Sequence, residues 1–415
     1  MKNAYRWKVC ALLFFATTIN YIDRQVISIL APRLQEIFEW SEKDYGYIIM
    51  SFQIAYALGL LLTGRFLDKF GVRIGYSIAI AVWSLFAAGH ALAYSVFTFA
   101  AARFGLALGE SANFPASIKT VAEWFPKKER ALATGIFNSG STIGAILAPV
   151  LIPFLAVTLG WQSAFIITGL LGFIWLIIWI GVYKSPTQNN KVSPEELEYI
   201  QSDNEQETTA SIPWIKLLGY RQTVGICLGR FVTDPIWWFF LYWLPKYLSE
   251  QHGLNIQGMG IPLILIYTFS SVGGIGGGWV SSKFIKMGKS IDFARKTSIL
   301  IVGLMVLPVF LLSYFQSLVL AIALISLATA AHQGWASNIF TVVSDIYPKN
   351  AVGSVTGLAG FAGAIGGIIF APIVGFILDT TGSYHIIFGI VSCAYLLAWL
   401  FLKIFVPKIE PMKLS

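Results

Sequence analysis

An all-α membrane protein, with twelve transmembrane helices in two pseudo-symmetric six-helix halves, is predicted by three observations. The 415-residue chain is 56% hydrophobic and 12% charged, against about 25% charge in a soluble domain, and its mean hydropathy is +0.70. Twelve apolar runs approach the roughly 20 residues that a helix needs to cross a bilayer. The first and second halves of the chain also echo one another in sequence.

The spans are expected near 9–31, 45–65, 74–95, 97–119, 131–157 and 162–183, then 223–248, 259–282, 297–315, 317–341, 352–377 and 384–405. The first run has a basic start but continues to helix length, so it reads as an uncleaved span and not a removed leader. The chain divides into a first half at 1–183, a polar linker at 184–222 and a second half at 223–415. In the linker, Ser193-Pro194-Glu195-Glu196 reads as the capped start of a short surface helix.

Basic residues are sorted by loop. Arg33, Lys43 and Lys246 fall outside and Arg24, Arg103 and Arg230 fall inside spans; the rest of the 29 lie in the alternate loops and the tails. That asymmetry puts both termini in the cytoplasm. It also gives the basic pI of 9.2 a topological cause, so no nucleic-acid partner is expected.

The repeats are specific. Glu123-Trp124-Phe125-Pro126 is matched by Asp345-Ile346-Tyr347-Pro348, Thr134-Gly135 by Thr356-Gly357, and Ala148-Pro149 by Ala371-Pro372. Two related six-span halves joined by a long inside loop is a plan found in secondary transporters.

Gly64-Arg65-Phe66-Leu67-Asp68-Lys69-Phe70-Gly71-Val72-Arg73 follows span 2. Gly64 is expected to allow close helix approach, and Asp68 to pair with basic residues or cap a helix. Gly64, Asp68, Gly71 and Arg73 form the conformational motif. Its second-half echo, Gly278 to Lys283, has Ser282 at the aspartate position. Gly135, Gly140, Gly144 and Pro149 in span 5, and the run Gly273 to Gly278 in span 8, read as packing and bending devices. Gly288-Lys289-Ser290 mimics the end of a phosphate loop, but Lys283 stands where its first glycine belongs. No cofactor is expected. Cys10, Cys227 and Cys393 have no metal spacing and read as small buried side chains; no metal site and no catalytic residues are expected.

Charges inside the spans carry the functional signal. A charge at mid-bilayer costs roughly 2.5–3.5 kcal/mol on insertion scales, so it usually marks a pathway or a site. Arg24, Arg103 and Arg230 suggest an anionic cargo; Asp23, Glu110 and Asp234 suggest groups that exchange protons. Tyr21 and Arg24, three apart, share a helix face. Asp23 points about 100° away, so either Asp23 or Arg24 faces a cavity while the other meets a helix. Arg103 and Glu110 lie two turns apart on one face, continued by Asn113, and a structural ion-pair network between spans 1 and 4 is the competing reading. The repeat offset puts His332 at the depth of Glu110. Tyr56, Trp237, Trp238, His332, Gln333 and Asn338 add hydrogen-bonding groups and flat aromatic faces suited to sugar hydroxyls and C–H surfaces. For the tryptophans, Trp243 above all, an interfacial belt is the alternative.

Together these residues resemble the anion:cation symporter family of the major facilitator superfamily, over nearly the whole chain. The markers are Asn20-Tyr21-Ile22-Asp23-Arg24, Arg103-Phe104-Gly105 with Glu110, Glu123 to Pro126 followed by Glu129-Arg130, and Phe137-Asn138-Ser139. The loop after span 2 is similar to the superfamily's signature. Thr233 to Leu248 resembles the hexuronate transporter branch. The resemblance implies that Arg24 and Arg103 bind a carboxylate, that Tyr56 contacts substrate, and that Asp23 and Glu110 couple protons. It implies import of galacturonate and glucuronate with protons, by alternating access, through the bacterial inner membrane. Span 5 has Ser139 and Ser141 where some sugar-acid relatives carry a glutamine.

The expected partners are a small anionic sugar acid, protons and the lipid bilayer, with the protein a monomer. The alternative cargo is another organic anion: an aldonate, aldarate or dicarboxylate. A transporter-like receptor or an intramembrane enzyme is disfavoured, because the loops are short and no nucleophile or metal motif is present. The roles of Arg230 and Asp234 are left open by the sequence.

Overall fold

The computed structural model describes residues 5–202 and 214–412; the side chains of Asp68, Lys127, Lys128, Ala131, Trp214, Lys349 and Asn350 lie outside that description. Every element is helical: α1 (Tyr5–Phe38), α2 (Glu42–Gly89), α3 (Val96–Glu110), α4 (Asn113–Trp124), α5 (Lys127–Leu159), α6 (Trp161–Val182), α7 (Pro194–Ile200), α8 (Trp214–Leu218), α9 (Arg221–His252), α10 (Gly260–Lys286), α11 (Ile291–Val306), α12 (Leu318–Ile346), α13 (Lys349–Thr381) and α14 (His385–Phe405), with short 3₁₀ turns between some of them.

Among the described residues, ten helices are long and apolar enough to cross a membrane. α2 contributes two of them, divided at the motif loop. Gly71 makes the division: its backbone sits at φ 72°, ψ 163°, a region that side-chain-bearing residues rarely enter. α1 is long enough, but Asn20, Asp23, Arg24 and Gln25 interrupt its apolar run. The expected fourth span is broken into α3 and α4. Pro115 has no N–H to give the Ser111 carbonyl, so the i→i−4 ladder opens there, and Ala112 N–H turns to Gly109 O at 3.2 Å. Glu110 is the last residue of α3 as a result.

The chain forms two compact units. One holds the residues up to Glu39 and those from Ser51 to the central loop; the other holds Trp40–Met50 and the chain beyond that loop. In the first unit α1 packs against α4, α5 and α6. A methyl group at Gly140 or Gly144 would press on Phe14 O or Thr18 O of α1, so these two glycines bring two backbones together, whereas one at Gly135 meets nothing within 4 Å among the described residues. Gly64 does not: an added methyl group there meets nothing within 4 Å among the described residues. The linker helix α7 forms as its cap predicts, with Ser193 Oγ accepting from Glu196 N at 3.2 Å. Glu196 is itself buried, accepting from Tyr5 N at 2.9 Å and Arg6 N at 3.1 Å, and thereby fastens α7 to the start of α1.

In the second unit α10 packs on α12, and α9 on α13 and α14. Gly273 and Gly277 of α10 abut Ala330 and Gly334 of α12 backbone to backbone. Gly277→Ala is therefore expected to destabilise this unit by about 1–3 kcal/mol, the usual cost of overpacking. Gly276→Ala, which meets nothing among the described residues, should be silent. Melting of the purified protein in detergent checks both, and equal melting temperatures would refute the packing account. Ser290 caps α11 by accepting from Phe293 N at 3.2 Å, so Gly288-Lys289-Ser290 is a turn and a cap.

The repeated Pro126 and Pro348 have the same geometry, φ −64° with ψ 154° and 155°, each capping the helix that follows. Cys10 is buried as expected, but Cys227 is half-buried and Cys393 exposed. Cys393 lines an apolar groove of about 290 Å³ with Phe231, Ile369 and Leu397.

Candidate functional site

Helix geometry in the first unit turns Arg24 toward α3 and Asp23 toward α6. Arg24 donates from Nε (3.0 Å) and Nη2 (2.9 Å) to one oxygen, Oε2, of Glu110. Its guanidinium lies 5.0 Å from the Tyr21 ring, 4.9 Å from Tyr56 and 5.3 Å from Phe52. Charge on a flat, weakly hydrated group suits such aromatic walls. The pair is sealed, at 3% and 0% side-chain exposure, while Tyr21 and Tyr56 are half-buried. Glu110 Oε1 has no hydrogen-bond partner among the described residues.

Spans 1 and 4 are thus linked by the Arg24–Glu110 pair and by Arg103 at the Arg24 carbonyl. Arg103, fully buried, donates to the Arg24 carbonyl at 3.3 Å and lies 4.5 Å from the Phe52 ring. It locks the turn that carries Arg24. Asn113 accepts from Tyr76 Oη at 2.5 Å and donates to Thr17 Oγ1 at 3.3 Å, so the polar stripe continues as helix-to-helix bonds.

Asp23 is 2% exposed, and neither of its oxygens finds a hydrogen-bond donor in bonding geometry among the described residues. Thr168 of α6 lies beside it, but its hydroxyl donates to Phe165 O at 3.4 Å. Buried polar atoms are nearly always paired, and Thr168 is the side chain placed to serve Asp23.

In the second unit Trp237 stacks on His332 at 5.0 Å and 9°, and His332 Nδ1 is 2.7 Å from Tyr395 Oη. Sequence reasoning missed Tyr395; its place on the last span gave no polar pattern to find. Trp238 stacks on Tyr242, while Gln333 is half-buried. Asn338 donates to Gly277 O at 3.0 Å and Gly334 O at 2.9 Å, so its amide joins α12 to α10. Trp243 is 1% exposed and packs edge-on to Tyr45, inside the unit. In the conformational motif Arg73 donates to Ile180 O at 3.0 Å; the Asp68 side chain lies outside the described residues.

Among the described residues no group of three or more His, Cys, Asp or Glu is arranged to hold a metal. What the two units offer is a set of buried charges and aromatic faces, the equipment of a pathway for a polar anion.

Comparison with known proteins agrees. The family model for the Major Facilitator Superfamily matches residues 13–371. The hexuronate transporter of Escherichia coli (strain K12) is 33% identical over 382 residues, 91% of this chain and 88% of that one. The galacturonate transporter of Dickeya chrysanthemi is 36% identical over 77% of this chain and 94% of its own. A probable galactarate/D-glucarate transporter of Bacillus subtilis (strain 168) is 32% identical over 97% and 92%. Among solved structures, a D-xylose-proton symporter superposes with a TM-score of 0.76 at 16% identity, covering 98% of this chain and 99% of that one. These relatives are transporters and not enzymes. The chain is a multi-pass membrane protein that belongs to the Major Facilitator Superfamily, alongside its hexuronate and galacturonate transporters.

Proposed function

We propose that this protein imports a hexuronate such as galacturonate or glucuronate together with protons, by alternating access. The observation that carries the reading is the Arg24–Glu110 pair within Tyr21, Phe52 and Tyr56. A proton on Glu110 cancels the charge that holds Arg24. The guanidinium fork is then open to a substrate carboxylate, which it binds through two parallel hydrogen bonds. Proton and anion thus enter with no net change of charge in the site, and leave the same way. Arg103 orients Arg24 and adds a second fixed cation; Asp23 is the second proton acceptor. The names of the sugar-acid transporters above support the cargo.

The architecture proposed with it is twelve spans in two six-helix halves, 1–183 and 223–415, with α1 and the broken α3–α4 supplying the two spans that composition alone does not mark. The sorting of basic residues supports cytoplasmic termini in a bacterial inner membrane. The working unit is a monomer interacting with lipid, protons and substrate. Tyr21, Tyr56, Trp237, Trp238, His332 and Gln333 are proposed to contact the sugar, Asn338 to hold α12 against α10 beside them, and Gly64, Asp68, Gly71 and Arg73 to govern the conformational change.

Labelled galacturonate uptake into proteoliposomes under an imposed pH gradient tests the function, and no accumulation above empty liposomes would end it. Trp238→Ala is expected to weaken galacturonate uptake about three- to tenfold, the worth of one aromatic face, with abundance kept. A second reading, aldarate import, is favoured by the galactarate/D-glucarate relatives. Galactarate or galactonate displacing label better than galacturonate would select an open-chain acid instead.

A further inference from the structure

Arg230 and Asp234 have no part in the mechanism above, yet they form the same pair of groups in the second unit. Arg230 donates from Nε at 3.0 Å and Nη2 at 2.7 Å to one oxygen, Oδ2, of Asp234. The residues are tenth and fourteenth in the 32-residue α9. At 1.5 Å per residue that is about 14–20 Å from the start of the helix, inside the bilayer.

Three features separate this pair from a packing contact. First, it is open where its counterpart is sealed: 18% and 15% side-chain exposure, against 3% and 0% for Arg24 and Glu110. Second, Arg230, Asp234, Trp237 and Trp238 fall at i, i+4, i+7 and i+8, one face of α9, and all four are half-buried. Third, α13 is hollowed to receive the pair. A methyl group at Gly363 would overlap the Asp234 carboxylate, and one at Gly360 would lie 3.5 Å from Arg230 Nη1.

The surroundings are otherwise sparing of charge. Phe340 of α12 covers the guanidinium at 5.3 Å. His332 of α12 and Cys227, one turn back on α9, feel Arg230. Tyr395 of α14 feels Asp234 and is hydrogen-bonded to His332. α13 presents glycine.

We infer that Arg230 and Asp234 are a second proton-linked anion site, carried by the second unit, whose ligand is a carboxylate of the sugar-acid cargo. The inference rests on the proposed transport function. Asp234 takes one proton from water and becomes neutral. The Arg230 N–H donors pass from Asp234 Oδ2 to the oxygens of the incoming carboxylate. One proton and one negative charge enter, so the charge of the site is unchanged. Release reverses both transfers.

Asp234→Asn fixes the neutral state. In proteoliposomes it is expected to keep galacturonate counterflow at a reduced rate, to lower KM, and to lower the proton-to-substrate ratio measured from flux reversal. Arg230→Gln should raise KM about tenfold or more at unchanged abundance. The pair is purely structural, and the inference wrong, if Asp234→Asn leaves KM and ratio untouched, or if the Arg230→Gln/Asp234→Asn double variant transports like the parent. Infrared difference spectra of the protein in lipid supply a readout independent of transport. A protonated carboxyl band should appear on acidification and be enhanced by galacturonate or galactarate, and the component of it that belongs to Asp234 should be missing in Asp234→Asn. If the parent transports no sugar acid but shows that band, the transport reading fails and the pair survives; if no band is lost in Asp234→Asn, the pair fails by itself.

Discussion

Arg24→Lys is expected to reduce sugar-acid uptake about 10- to 100-fold while leaving the protein in the membrane. The size follows from what lysine cannot do. Arg24 reaches one carboxylate oxygen with Nε and Nη2 together and lies flat among Tyr21, Phe52 and Tyr56. Lysine keeps the charge but offers a compact, strongly hydrated ammonium with no planar fork. A hydrogen bond to a charged group contributes about 1.5–3 kcal/mol, and each 1.4 kcal/mol is a factor of ten. One lost donor therefore accounts for the expected drop. Arg103→Lys should be similarly impaired, because Arg103 holds the Arg24 carbonyl. Counterflow of labelled galacturonate, normalised to protein per liposome, checks both. Parent-like rates in Arg24→Lys would mean that a generic positive charge suffices and that shaped carboxylate recognition is wrong.

Glu110→Gln should abolish accumulation driven by a pH gradient and spare exchange. The substitution keeps the shape of a protonated glutamate and removes its ability to release the proton. Glu110→Ala would be a poorer test, since stripping one partner from a buried ion pair costs roughly 3–5 kcal/mol of stability. With glutamine in place, Arg24 is no longer held by a charge, so substrate enters and leaves but no proton accompanies it through this group. Uptake against a concentration gradient should fall to the level of equilibration, with counterflow persisting at a reduced rate. If Glu110→Gln still concentrates galacturonate under an imposed pH difference, coupling runs through Asp23 or Asp234 instead.

Much of the fold was legible because the bilayer simplifies the problem. A spanning helix must satisfy its own backbone, so length and hydropathy locate most spans without knowledge of their neighbours. The short helix α7 was legible for a local reason: serine and proline at its start cap it whatever surrounds them. The break at Ser111–Ala112 was also written locally, in Pro115, but the apolar run across it masks the signal. Cys227 and Cys393 were misplaced by composition, because an apolar span shows which residues are in the membrane and not which are covered by protein.

The sequence by itself determined the class, the repeat and the inventory of charges, since each depends on composition, spacing or a neighbour within one turn. The tertiary structure alone decided who pairs with whom. Arg24 stands next to Asp23 and three residues from Tyr21, yet its carboxylate is Glu110, 86 positions on. Asp23, one residue back, turns instead to Thr168 of α6. The Asn338 amide donates to Gly277 O of α10, 61 positions back. Such pairings depend on the rotation of one helix about its axis against another, and small residues such as Gly144, Gly277 and Gly366 set that rotation by how closely they let the backbones approach.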